Sequence, residues 1–327
     1  MPGGFVLHAA VVTSFDSAPR YQEFPVPVPA GADEILVDVL AAGLHPRVRS
    51  QAGGSHYTST DELPLVPGID GVGRGPDRLL RYFLLPDTTM GAMAEQTVID
   101  TRRSLVLPES CDPVAVAAAM NPAMSSWIAL RQRVEFRAGQ NVLVLAATGN
   151  AGQLAVQIAK LFGAGRIVAA GRGAGRLAGL SALGATDTVL LEGDADDVAR
   201  RLGRAATDVD VVIDYLWGEP TAAAMVAVVT DRDDRGKPLT WIEIGSVAGP
   251  TAAIPSAALR AARLQIVGSG QGSVSTREIL AELPELAREI TNGTFDINAQ
   301  SMPLSDVEQA WADAASTSRR IVLTPRP

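Results

Sequence analysis

The sequence predicts an α/β protein in which a doubly wound parallel sheet is joined to a β-rich, barrel-like domain. Three observations carry the prediction. Short strands broken by Pro and Gly fill the first 120 residues or so, and apolar strands alternate with helical patterns from 121 to 269. A glycine-bearing loop then joins the first strand of that series to its first long helix.

Taken in order, Met1 to Phe15 reads as a first strand. It lacks the basic start, long apolar centre and small-residue cleavage site of a signal peptide. Glu34 to Leu40 is a strand by its branched apolar content and its flanking Gly31 and Gly43, after a turn carrying Pro25, Pro27 and Pro29. Met93 to Ile99 is a second example. From Asn141 to Leu145 an apolar strand precedes a helical pattern from Gly152 to Phe162, and strands follow at Ile167 to Ala170 and Val189 to Leu191. The series continues at Val209 to Asp214, Trp241 to Ile244 and Leu264 to Val267. A helix from Thr276 to Ile290 and a strand from Arg320 to Leu323 close the chain. The domain division is therefore 1–120 for the β-rich part, with 270–327 returning to it, and 121–269 for the alternating part.

With 327 residues, 47% of them apolar and 20% charged, the chain reads as an ordinary globular protein. The net charge of −8, with no basic cluster, argues against a nucleic-acid partner. No apolar stretch reaches the roughly 18 residues of a membrane span. The single Cys111 excludes an intrachain disulfide and fits a cytoplasmic location. Zinc sites draw on Cys, His and carboxylates. Only Cys111, His8, His45 and His56 supply the first two types, without ligand spacing, so no metal is expected.

The loop Ala146-Ala147-Thr148-Gly149-Asn150-Ala151-Gly152 carries the chemistry. Ala147 replaces the first glycine of the dinucleotide pattern, while Gly149 and Gly152 keep the other two. Gly149 lets the backbone approach a pyrophosphate, and Gly152 lets helix and strand pack closely. The helix start offers unpaired N–H groups to phosphate. At the end of the next strand, Gly171 and Arg172 stand where an NAD site places a carboxylate, with Arg176 four residues on. Guanidinium groups bind a 2′-phosphate that a carboxylate repels, so the expected cofactor is NADP(H).

The run Leu154-Ala155-Val156-Gln157-Ile158-Ala159-Lys160, the turn Pro67-Gly68-Ile69-Asp70-Gly71-Val72-Gly73 and the triplet Leu183-Gly184-Ala185 extend the pattern across both domains. Together with the loop, they resemble the zinc-independent quinone-oxidoreductase branch of the medium-chain dehydrogenase/reductase family. The resemblance implies a GroES-like barrel, a Rossmann domain and an active site in the cleft between them. It also implies hydride transfer from NADPH to a small electrophilic acceptor, either a quinone or an α,β-unsaturated carbonyl, and a homodimer. Ser125 falls near the family's nicotinamide threonine, and Gly245 and Ser246 near the turn that passes the nicotinamide ribose and carboxamide. Arg319 or Arg320 matches a C-terminal arginine that reaches the adenosine phosphate in some relatives. The sequence departs from the family at His45-Pro46-Arg47-Val48-Arg49 and in the short stretch after Gly73.

Reduction of an enone leaves charge on the carbonyl oxygen, which needs a hydrogen-bond donor and finally a proton. Tyr57, on the loop Gly53-Gly54-Ser55-His56-Tyr57, is the first candidate, and a tyrosine packed on its loop is the other reading. His45 and His56 are second candidates. Asn121 reads equally as a substrate ligand or as a helix cap before Pro122. Cys111, among acidic neighbours that raise a thiol pKa, is a poor nucleophile. Two alternatives stay open: an enoyl-thioester reductase using Arg47 and Arg49 as a basic entrance, and an NADPH-binding sensor with little turnover.

Overall fold

A computed structural model describes residues 5–325, so residues 1–4 of the expected first strand lie outside the described residues. Two compact units emerge, Met1–Pro122 with Thr276–Pro327, and Ala123–Ser275.

In the first unit, β1 (Val6–Val11) pairs antiparallel with β2 (Arg20–Pro25). Strand β3 (Glu34–Gly43) leads into helix α1 (Pro46–Ala52), and β4 (Asp70–Arg74) and β5 (Leu80–Leu84) form a hairpin. Strand β6 (Gln96–Asp100) pairs with the start of β3, and β7 (Ser104–Val106) with β5. The strand expected from Met93 begins only at Gln96. Met93 donates its N–H to Pro67 and accepts from Ala10, so it joins other partners before the β3 ladder starts. The apolar residues Leu7, Val37, Val39, Phe83 and Met93 fill the interior of this unit.

Helix α2 (Pro113–Ile128) runs on into a π-helical turn, Ala129–Arg133. Pro122 sits inside it, so Asn121 is not a cap, and that expectation is corrected. A proline there removes one backbone donor, and its ring crowds the carbonyl four residues earlier. Among the described residues the continuous helix Pro113–Arg133 is long and apolar enough to cross a membrane by length and composition, against the expectation that no stretch reaches that length. Its most apolar window is 67% buried inside the protein.

The second unit holds a six-stranded sheet whose pairings are all parallel. Its strands are β8 (Val142–Leu145), β9 (Ile167–Gly171), β10 (Asp187–Leu190), β11 (Val211–Asp214), β12 (Leu239–Glu243) and β13 (Leu264–Gly268). They lie in the order β10-β9-β8-β11-β12-β13, the doubly wound arrangement, so the chain reverses direction between β8 and β11. β8, β9 and β11 are buried throughout, which explains their continuous Val, Ile, Leu and Ala content. The connecting helices are α3 (Asn150–Leu161), α4 (Ala174–Ala178), α5 (Leu180–Leu183), α6 (Ala195–Ala205), α7 (Gly218–Thr230) and α8 (Ser256–Ala261). Leu143, Val168, Val212, Met225, Val228 and Trp241 form the centre of this unit.

Helix α9 (Thr276–Thr291), β14 (Ala299–Pro303), α10 (Val307–Asp313) and β15 (Arg320–Thr324) complete the first unit, where β15 lies antiparallel to the end of β3.

Candidate functional site

In the second unit the β8–α3 loop is shaped by its glycines unequally. A Cβ on Gly152 would stand 2.3 Å from the Ala146 carbonyl oxygen and 2.6 Å from Ala147 Cα, so only glycine lets α3 press against the strand end. Ala146 itself is in the left-handed region at φ +62, where the turn is already strained. Gly149 differs. A Cβ there would meet nothing nearer than 3.5 Å, so its bare face is open space for a ligand to approach. Gly149 is also the N-cap of α3 and makes no side-chain cap, which leaves the first N–H groups of a twelve-residue helix for an anion. Asn150 and Ala151 are the first residues of that helix, and Gln153 donates to the Thr148 carbonyl at 3.1 Å. Gly171, at the end of β9, packs on Thr148, since a Cβ would come within 2.8 Å of its Cγ2 and Oγ1. These residues fit a dinucleotide pyrophosphate, with an open face at Gly149 that a side chain there would fill.

Beyond β9, Arg172 and Arg176 are both exposed. Arg176 folds over Gly173, whose φ is +82. The sequence reading missed Glu192, after β10, whose carboxylate accepts the Gly173 N–H at 2.8 Å. Nothing local to residues 190–193 signals that contact, because it crosses between neighbouring strand ends.

The end of β11 lies beside the end of β8, with Asp214 opposite Leu145. Asp214 is fully buried and accepts four hydrogen bonds, from Trp241 Nε1 (2.8 Å), Thr221 Oγ1 (2.7 Å) and the N–H groups of Leu216 (2.8 Å) and Trp217 (3.2 Å). Such a carboxylate is satisfied and fixes the turn that follows. In that turn Trp217 takes φ +50, an uncommon backbone for a non-glycine residue. Tyr215, 8% exposed, brings its hydroxyl within 2.8 Å of Ser125 Oγ. Burial pushes the Tyr215 phenol up to about 12, against the lowering effect of the Ser125 and Ser126 hydroxyls. Gly245 lies against the same tyrosine, 3.6 Å from its Cδ1 by the position a Cβ would take, and its N–H donates to the Asp214 carbonyl. Ser246 is exposed just beyond. Tyr215 thus brings together Ser125 and the Gly245 turn, and the sequence reading did not single it out.

In the first unit the candidates separate. Tyr57 is 73% exposed and its ring lies 4.3 Å from that of His56. Their loop is anchored by Asp87, which accepts from Arg47, Thr58 and Gln51. His56 Nδ1 lies 2.9 Å from Thr58 Oγ1 and 3.2 Å from the Thr58 backbone nitrogen. Burial, then the Arg47 charge, hold that imidazole down to about 4. Arg49 donates to the Trp311 carbonyl and lies over the Trp311 ring. Arg47 and Arg49 are thereby committed to protein partners, which weighs against the basic entrance of the thioester alternative.

His45 and Arg320 require correction. His45 is 1% exposed, with Nε2 3.4 Å from Asp70 Oδ1 but without hydrogen-bond geometry. It lies over Gly43, where a Cβ would be 2.5 Å from Nε2, so the glycine admits the ring into the interior. Desolvation there lowers its pKa despite Asp70. Arg320, expected to reach a phosphate, is 7% exposed and donates to the Leu44 carbonyl at 2.8 Å. Its place in β15, buried beside Asp70, explains this, and burial lowers it to about 10. Arg319 is the exposed neighbour. Tyr82 completes the cluster by donating to Asp70 at 2.8 Å. Cys111 is buried, and burial, then Asp112, raise its thiol pKa.

Residues 151–289 match the family described as zinc-binding dehydrogenase. That segment contains neither His nor Cys, and among the described residues no three His, Cys, Asp or Glu side chains cluster to hold a metal. The chain is 28% identical over 362 residues to the probable NADPH-dependent quinone reductase tdiC of Emericella nidulans, covering 98% of this chain and 100% of that protein. The chain is similar to the quinone-oxidoreductase-like medium-chain dehydrogenase/reductases. A chloroplastic NADPH-dependent alkenal/one oxidoreductase of Arabidopsis thaliana is 29% identical over 154 residues, 42% of this chain and 40% of that protein. The quinone oxidoreductase of Thermus thermophilus, solved also as its NADPH complex, superposes with a TM-score of 0.81 at 23% identity, over 97% of this chain and 99% of that one. This last likeness is one of fold. It agrees with a Rossmann sheet and a GroES-like barrel in this chain.

Proposed function

We propose that the chain is an NADPH-dependent oxidoreductase that passes hydride to a quinone or an α,β-unsaturated carbonyl without zinc. The observation that carries this reading is the Gly149–Gly152 loop at the reversal point of the sheet, followed by Arg172 and Arg176 where an NAD site needs a carboxylate. The named activities of the relatives above agree with it.

In this reading the α3 N–H groups and the open face of Gly149 hold the pyrophosphate, and Arg172 and Arg176 bind the 2′-phosphate by charge-assisted hydrogen bonds. Ser125, Gly245 and Ser246 hold the nicotinamide end. Reduced nicotinamide, when bound, supplies the hydride. Tyr57 serves as the donor to the acceptor oxygen, its phenol positioned by the loop that Asp87 anchors. His56 stays neutral at pH 7, with its ring 4.3 Å from that of Tyr57. A homodimer belongs to the same proposal, supported by the resemblance and by β13, which pairs only with β12 among the described residues. A cytoplasmic location rests on the sequence alone.

The test is titration of the purified chain with NADPH and NADH, followed by the absorbance of the reduced cofactor against a panel of quinones and enones. Tight NADPH binding with oxidation by one acceptor class supports the reading. Equal affinity for both cofactors, or binding without turnover on any acceptor, contradicts it.

A further inference from the structure

The carboxyl ends of β8 and β11 lie side by side, and in doubly wound sheets ligands bind outside the strand ends where the order reverses. β8 leads into the phosphate loop. The residue leaving β11 at the same level is Tyr215. The turn it opens is held by Asp214, which accepts the Leu216 and Trp217 N–H groups and is itself fixed by Trp241 and Thr221, by the uncommon φ of Trp217, and by Gly218, where a Cβ would come within 2.9 Å of the Ala248 carbonyl. So much local constraint at a turn fixes the direction of one side chain. The phenol reaches Ser125 Oγ at 2.8 Å, across 90 positions of sequence.

We propose that Tyr215 is a positioning residue for the nicotinamide end of the cofactor, its hydroxyl fixing the Ser125 side chain as the contact for the carboxamide. The proposal rests on the dinucleotide reading above. Ser125 is half-buried and Tyr215 nearly fully buried, so the serine is the member of the pair open to a ligand. A carboxamide presents an N–H₂ donor and a carbonyl acceptor, and a hydroxyl with one donor and two acceptor positions can serve either. Left alone, that hydroxyl would rotate. The hydrogen bond to a rigid phenol selects one rotamer, and preorganisation of this kind raises affinity without adding a contact. The phenol remains protonated throughout the physiological range, so the pair does not gain a buried charge.

The experiment uses the full chain and two probes, NADPH and adenosine 2′,5′-bisphosphate, which carries the phosphate end without nicotinamide. Dissociation constants and Tm are measured for Tyr215→Phe, Ser125→Ala and the double variant. Ser125→Ala is expected to weaken NADPH binding about five- to tenfold, the effect of one lost hydrogen bond to the ligand, and Tyr215→Phe to weaken it measurably but by no more than that, since it removes only the positioning of that contact. The double variant is expected to lose no more than the larger single loss, because the two groups act as one unit. Affinity for adenosine 2′,5′-bisphosphate stays unchanged. Unchanged NADPH affinity, additive losses, or equal losses for both probes overturn the proposal. If Tyr215→Phe lowers Tm, Ser125→Ala carries the test alone, since alanine suits its helical position. Failure of the unsubstituted chain to bind NADPH overturns the dinucleotide reading instead, a result separable from the others.

Discussion

The two glycines of the phosphate loop should fail in opposite ways when replaced by alanine. At Gly152 the new methyl would lie 2.3 Å from the Ala146 carbonyl oxygen, about 1 Å inside ordinary contact. Ala146 is already left-handed at φ +62 and offers little room to retreat. Overpacking of this kind costs about 1–3 kcal/mol, and a unit of this size loses about 2–4 °C of Tm per kcal/mol, so Gly152→Ala should melt roughly 2–12 °C lower. At Gly149 the methyl would meet nothing within 3.4 Å, and the backbone, at φ −82 and ψ 163, suits any residue. Stiffening the unfolded chain gains about 0.4–1 kcal/mol, and replacing glycine at an N-cap loses a similar amount, so Tm should move by less than about 2 °C. The same methyl, however, occupies the space a pyrophosphate needs. NADPH affinity should therefore fall at least about tenfold, or 1.4 kcal/mol. Thermal melts and fluorescence titrations of both variants decide the matter. Full NADPH affinity in Gly149→Ala would refute the assignment of that open face to the cofactor, and an unchanged Tm in Gly152→Ala would refute the packing argument.

Replacing both Arg172 and Arg176 with alanine should weaken NADPH binding about a hundredfold while changing NADH binding little, the loss of two charge-assisted contacts to one phosphate. Equal losses for the two cofactors would remove the arginines from 2′-phosphate recognition. Tyr57→Phe should lower turnover about a hundredfold or more with NADPH affinity and Tm unchanged, since the ring is 73% exposed and contributes little packing. Unchanged turnover would leave Tyr57 a surface tyrosine. Acid stability follows from the depressed histidines. His56 lies near 4 when folded against about 6.5 in the unfolded chain, and His45 is displaced in the same direction. Between those values the unfolded chain binds protons that the folded chain refuses, so Tm should fall as pH drops through about 6.5 to 4. His56→Gln should flatten part of that decline, and an identical Tm-against-pH curve for the two proteins would show that His56 is not its source.

What could be read from the sequence follows from how local the determining contacts are. β8, β9 and β11 were legible because strands buried on both faces must be continuously apolar, and each residue reports its own burial. Their order was not, since alternating strands and helices leave the sheet order open until the pairings are seen. Residues 93–95 read as strand by composition but take partners from two other segments, a competition no window of sequence contains. His45 read as a candidate proton donor and Arg320 as a candidate phosphate ligand. They are 275 positions apart, and only the antiparallel pairing of β15 with β3 brings both into the neighbourhood of Asp70. Tyr215 was invisible for the same reason, its partner being a helix 90 residues away.

The charge at the end of β9 is more mixed in the fold than in the local sequence. The sequence offers two arginines and no acid at that strand end, which favours a phosphate over a bare ribose. The fold adds Glu192 from the next strand end, with its carboxylate on the Gly173 N–H. An acid that reads the ribose hydroxyls needs its oxygens turned towards the ligand. One oxygen of Glu192 is instead taken up by the backbone of the very turn that carries Arg172 and Arg176. In that role it stiffens the turn, and it leaves two guanidinium charges against one carboxylate, so the local field still favours an anion. The preference for NADPH then depends on the excess of positive charge at this turn, and not on the absence of acid that the sequence alone suggested.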